Sequence, residues 1–189
     1  MTYEHWLGKV QQDGWMLMHV PEAHRTVDLC RLAVQNDGDA LQYVPAPLRS
    51  AEICLAAVKS PTAKLMPLLN VPNEQRTPEL CLAAVEQAGW ALRYVPEPLR
   101  TEQLCRAAIE RDGWALAWVP EHIRTPEVCL AAVQQNCWAF RVLPESMRTI
   151  ELYLPAVKHD ETAMKYVPDH LVDEVLARVG NGPLDRERG

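Results

Sequence analysis

The stretch "CLAAVEQAGWALRYVPEPLRT", Cys81–Thr101, is followed by a near copy, "CRAAIERDGWALAWVPEHIRT", Cys105–Thr125. A phrase repeated at fixed spacing marks a structure built from equivalent units, each covering the apolar face of the next. Working outward, a Thr or Ser opens the phrase at Thr2, Thr26, Ser50, Thr77, Thr101, Thr125 and Thr149. A proline recurs near its end at Pro21, Pro45, Pro72, Pro96, Pro120, Pro144 and Pro168. These landmarks define seven units. The interval is 24 residues except in the unit beginning at Ser50, where it is 27; its "KSPTAKLMPLLNVPNEQR" carries three extra residues that belong in a loop.

Within a unit, "TPELCLAAVEQAG" reads as a helix of about three turns. Thr77 is a good N-cap, Pro78 suits the first helical position, and Glu79 favours the positive end of the helix dipole. Leu80, Cys81, Ala84 and Val85 share one face at helical spacing, which predicts the core side. Gly89 is expected to end the helix in the left-handed conformation, a role repeated at Gly14, Gly38 and Gly113 and broken by Cys137 and Glu161. The second half, "WALRYVPEPLR", reads as a short helix of about two turns running into a proline-delimited turn, because a residue before proline is disfavoured in helical geometry.

The fold class is therefore all-α: an α-solenoid of about seven 24-residue repeats, each a pair of short helices. At the ends the pattern drifts as terminal repeats do: Trp6 replaces the cysteine, His5 and Lys9 approach the core face, and Tyr153 and Pro155 replace Cys and Ala. Leu171, Val175, Leu176 and Val179 predict a C-terminal capping helix stopped by Gly180. The expected organisation is one helical-repeat domain over 1–180 and a disordered tail over 181–189.

This phrase, with its Cys, Gly-Trp and Val-Pro landmarks in order from Thr2 to about Pro168, resembles the bacterial and viral repeat domains known as domain of unknown function 4116. The resemblance implies a helical repeat array. It brings no catalytic residue to carry over.

Composition narrows the function. With 48% hydrophobic residues among 189, the chain can form a core, and its formal net charge of −6 argues against phosphate-driven nucleic-acid binding. No stretch approaches a membrane span, and "MTYEHWLGKV" has no basic leader, so a cytoplasmic location is expected. Five of the six cysteines (Cys30, Cys54, Cys81, Cys105, Cys129) hold one column. Stacked helices stand roughly 8–10 Å apart, too far for bridging, so buried reduced thiols are expected.

The row Arg25, Arg49, Arg76, Arg100, Arg124 and Arg148 offers guanidinium groups in register. The structural reading is that each answers a nearby acid, at Glu22, Glu97, Glu121 and Glu145, and a helix-end carbonyl. Trp15, Trp90, Trp114 and Trp138 read as packing wedges between helices. The carboxylate pairs Asp37/Asp39 and Asp160/Glu161 lie in connections without a neighbouring base, and His122 and His170 read as solvent-facing. No catalytic, cofactor or metal signature is present, so none of these sites is expected.

Where copies disagree, packing does not dictate the residue. After each ladder cysteine stand Arg31, Leu55, Leu82, Arg106, Leu130 and Leu154, and the second helix varies at Arg93 and Arg141 beside a Tyr column that becomes Trp118. Arg31, Leu55, Leu82, Arg106, Leu130, Arg93, Trp118 and Arg141 are therefore the candidate partner-binding residues. The leading expectation is a non-enzymatic module that binds another protein, a basic one by charge complementarity, as a toxin-neutralising immunity protein would. A nucleic-acid reader using Arg93, Arg100, Arg124 and Arg141, and a hydrolase around Lys64 and Glu74, are the alternatives.

Overall fold

The computed structural model of the chain describes residues 2–63, 67–143 and 145–180. Lys64 and the expected tail over 181–189 lie outside them. Among the described residues the secondary structure is entirely helical. The chain is an all-α repeat protein. Its α-helices are α1 (Tyr3–Gln12), α2 (Val27–Asn36), α3 (Ala51–Lys59), α4 (Pro78–Gln87), α5 (Glu102–Arg111), α6 (Pro126–Gln135), α7 (Ile150–His159) and α8 (Asp169–Gly180).

Each α-helix of a repeat begins on the expected cap. The hydroxyls of Thr26, Ser50, Thr77, Thr101 and Thr125 accept hydrogen bonds from the backbone N–H three residues on, which satisfies a donor with no partner inside the helix. Thr149 makes no such side-chain bond.

The second helix of each repeat is a 3-10 helix: Gly14–His19, Gly38–Tyr43, Gly89–Tyr94, Gly113–Trp118, Cys137–Val142 and Glu161–Tyr166. A 3-10 helix rises about 2.0 Å per residue against about 1.5 Å for an α-helix. Six residues therefore span about 12 Å against about 15 Å for a ten-residue α-helix, closer than their residue numbers suggest. A further single 3-10 turn, such as Ala46–Leu48 or Glu121–Ile123, joins the proline to the arginine before the next cap. In the irregular repeat the described 3-10 residues are Pro67–Asn70, and the three extra residues of the sequence lie between them and the end of α3.

The glycines act differently from expectation. The helices end on a residue with extended backbone, Asp37 at φ −146° and Asp112 at φ −153°, and none of Gly14, Gly38 and Gly113 has positive φ. The glycine instead opens the 3-10 helix where it presses on the next repeat. A Cβ on Gly38 would lie 2.2 Å from the carbonyl oxygen of Ala57, and one on Gly113 would lie 2.1 Å from that of Ala132. Close backbone approach, which only glycine permits, is the reason for this column.

The chain groups into two compact units, Met1–Leu99 and Arg100–Gly189. In the first, α1 to α4 pack successively in one layer and the 3-10 helices in a second, with Gly14–His19 and Gly38–Tyr43 each seated against its own α-helix and the following one. The second unit repeats this arrangement over α5, α6 and α7, and α8 packs on α7. The core lies between layers. Leu80, Cys81, Ala84 and Val85 are buried as expected, as are Leu41, Val44, Leu116 and Val119 from the 3-10 layer. In α8 only Val175 is buried, whereas Leu176, expected to join it, is 54% exposed. His5 and Lys9 are also exposed, against the expectation that they approach the core face.

Candidate functional site

The arginine row is part of the frame. The Nε of Arg49 donates to Val44 O at 2.9 Å, Nη1 to Asn70 O at 2.8 Å in the next repeat, and Nη2 to Gln42 O at 3.2 Å. Arg25 reaches Val20 O, Tyr43 O and Met18 O in the same way. Arg76 bonds Val71 O and Tyr94 O, Arg100 bonds Trp118 O, Arg124 bonds Val119 O and Ala117 O, and Arg148 bonds Leu143 O. Each guanidinium satisfies carbonyls at or just past the end of a 3-10 helix, where the helix itself offers no partner. The expected carboxylates play no part at two positions: among the described residues, neither Glu22 nor Glu121 forms an ion pair with Arg25 or Arg124.

The cysteine ladder is equally internal. Cys30, Cys54, Cys81, Cys105 and Cys129 are fully buried and unbridged, and burial pushes the thiols of Cys30 and Cys105 up from 9.0 to about 11, partly opposed by Arg25 and Arg100. They stay neutral and unreactive near neutral pH. Trp15 behaves as a wedge, donating from Nε1 to Asp37 at 2.8 Å and meeting Tyr43 edge-on. Trp138 packs against Phe140 and Tyr166. Trp90 departs from that reading at 38% exposed. Asp37, Asp112 and Asp160 each accept the N–H that opens a 3-10 helix, which gives those connection carboxylates a capping role. Asp39 is buried, not set in an open connection.

The eight candidate residues fall into two groups on separate layers. Arg31, Leu55 and Leu82 stand half-buried on α2, α3 and α4 of the first unit; Arg106 is exposed on α5, and Leu130 half-buried on α6, of the second. Arg93, Trp118 and Arg141 belong to the 3-10 layer, where the guanidinium of Arg93 lies 5.7 Å from the Tyr94 ring centre and that of Arg141 lies 5.0 Å from that of Tyr166. Arg31 shares its helix side with exposed Val27, Asp28 and Gln35, which places the first group on the outside of the α-layer.

Sequence reasoning missed the row beside that column. Asp28, Glu52, Glu79, Glu127 and Glu151 each stand two residues after a cap, one helical turn from the Arg or Leu position. The signal was legible at Glu79, where it was read only as a dipole complement. Most of the row meets a cation from a neighbouring helix: Glu52 meets Arg31 at 3.5 Å, Glu79 meets Lys59 at 3.7 Å and Glu151 meets Arg178 at 3.7 Å. Where the column holds Arg, the acid near the helix start is engaged: Arg31 pairs with Asp28 at 2.6 Å, and Arg106 with Glu102 at 2.9 Å. Where it holds Leu130, the neighbouring carboxylate of Glu127 has no ion pair among the described residues. Hydrogen bonds from the Thr125 hydroxyl and from its own N–H hold Glu127 below the usual carboxylate range, so it is ionised at neutral pH. A mainly apolar depression of ≈ 330 Å³ opens at this point, lined by Pro126, Leu130, Met147 and Leu152 with Glu127 and Glu151 on its wall.

The description Domain of unknown function (DUF4116) belongs to a family model that matches residues 77–124, 101–148 and 125–172. Each match spans two consecutive repeats and the next begins one repeat later, so that together they cover just over half of the chain. No curated protein and no solved structure matches it.

Proposed function

We propose that this chain, which belongs to the DUF4116 repeat family, is a non-enzymatic scaffold that binds another protein on the outside of its α-helical layer. The observation that carries this reading is the column Arg31, Leu55, Leu82, Arg106 and Leu130. These side chains lie in register on consecutive helices of each unit, large and incompletely buried, and the repeat geometry does not dictate which residue stands there. A half-exposed apolar position flanked by charge has the composition of an interface core and its polar rim. The net charge of −6 favours a basic partner by steering encounter. In its finer form, the scaffold is a toxin-neutralising immunity-type protein.

The same arrangement weakens the nucleic-acid reading. That reading calls on Arg93, Arg100, Arg124 and Arg141 together, yet Arg100 and Arg124 spend their guanidinium groups on main-chain carbonyls. Among the described residues no helix is long and apolar enough to cross a membrane.

The test is capture of partners by tagged full-length chain from its native cells, with nuclease treatment, beside the variants Leu82→Glu and Leu130→Glu. A stoichiometric protein that survives nuclease and is lost with either variant is the expected result. Recovery of nucleic acid alone, or of a protein held equally by both variants, overturns the proposal.

A further inference from the structure

We infer that the depression beside Leu130 seats a protein segment of one chemistry: an apolar side chain flanked by lysine or arginine. The inference rests on the protein-binding reading above and specifies the partner at one point of the surface. Three observations lead to it.

The first is local charge. In α2 and α5 the column side chain is an arginine that pairs with the acid at the start of its own helix. In α6 that internal cation is exchanged for Leu130, so Glu127 stands exposed with no ion pair within 4 Å among the described residues and feels Arg106 of α5 only at longer range. A partner's cation can occupy the place the arginine holds elsewhere. The second is shape. The exchange coincides with the opening lined by Leu130, Met147 and Leu152, and ≈ 330 Å³ is at the small end of the pocket range of about 300–1,000 Å³. Such a volume suits a side-chain anchor better than an extended ligand. The third is the opposite wall, where among the described residues Glu151 has one cation within 4 Å, Arg178 at 3.7 Å, with both groups exposed. An exposed pair at that distance is weak and open to exchange.

Apolar contact and charge make opposite forecasts for one substitution, which makes the inference testable. The probes are two synthetic peptides of the same length, one alternating leucine with lysine and the other leucine with glutamate, titrated by fluorescence anisotropy against the intact chain. The lysine peptide should bind and the glutamate peptide should not. Leu130→Glu adds a negative charge, so an attraction made of charge alone would strengthen. Loss of the apolar seat instead predicts weakening on the order of tenfold. Met18→Glu, at an exposed position of the 3-10 layer in the other unit, should leave this binding unchanged. Glu127→Lys, on an exposed side chain, should weaken the lysine peptide and admit the glutamate peptide, at a small cost in stability because a cation then stands at the positive end of the α6 dipole.

Equal or tighter lysine-peptide binding by Leu130→Glu, or no discrimination between the peptides, overturns the inference. The two readings fail separately. If a captured native partner is lost from Leu130→Glu while the lysine peptide does not bind, the scaffold stands and its partner chemistry falls. If the native partner is retained by that variant, the docking surface itself falls.

Discussion

An arginine and, in several repeats, a glycine bind one copy to the next, and each does so through the main chain. The Arg49 fork closes on carbonyls from its own repeat and the following one, so its value lies in geometry as much as in charge. Arg49→Leu should cost roughly 1.5–3 kcal/mol, since bonds from a charged donor are lost. Arg49→Lys should recover little, because an ammonium lacks the planar fork. Denaturant titration of both variants measures the difference. Gly113→Ala places a methyl group against the Ala132 carbonyl and should cost roughly 1–3 kcal/mol by overpacking, whereas Gly8→Ala meets open space and should not. Both columns were visible in the sequence as recurrences, but their reasons were not. An arginine followed by a helix cap does not name the carbonyl it serves, and a glycine after a helix equally suggests a left-handed cap. The difference between that cap and a close contact is a distance between residues 19 positions apart, which no local pattern records.

At the scale of the element, the α-helices and their starts were readable because caps and apolar spacing agree, whereas the cause of their ends was not. The 3-10 helices were not, because six residues are too few for a periodicity to separate three residues per turn from 3.6. Cap strength varies along the chain in a checkable way. Thr101→Ala removes a cap bond to Leu104 and should destabilise by about 1 kcal/mol. Thr149→Ala, where the side chain makes no cap bond, should cost clearly less. The candidate surface belongs to this scale too. Its Leu and Arg positions could be found because they vary between copies, while the depression beside Leu130 could not, since Met147 reaches it from the far end of the same repeat and Leu152 from the next.

For the whole molecule, burial of the thiol column ties stability to alkaline pH. The folded thiols of Cys30 and Cys105 titrate near 11, above their ordinary value of 9.0, and Cys54, Cys81 and Cys129 shift in the same direction. Unfolded chains therefore ionise first. This contribution to stability is intact below about pH 9 and is lost as pH rises toward 11, so melting temperature should fall across that window. Replacement of the five ladder cysteines by alanine should flatten the fall. A thiol reagent at neutral pH should label Cys137, the one partly exposed cysteine, well before the other five. Ala108→Asp puts a charge where the side chain is fully buried, and it should unfold the unit, because an unpaired buried charge has no compensation.

The account separates residues that build the repeat from residues that meet a partner, and one paired measurement addresses that separation directly: melting temperature and partner retention for Arg124→Leu and Leu130→Glu, side by side. Arg124→Leu should melt lower and, below its transition, still hold the partner. Leu130→Glu should melt like the parent and release it. The reverse pattern, with the partner lost from the arginine variant and kept by the leucine variant, would contradict the assignment of the arginine row to structure and of the α-layer column to binding.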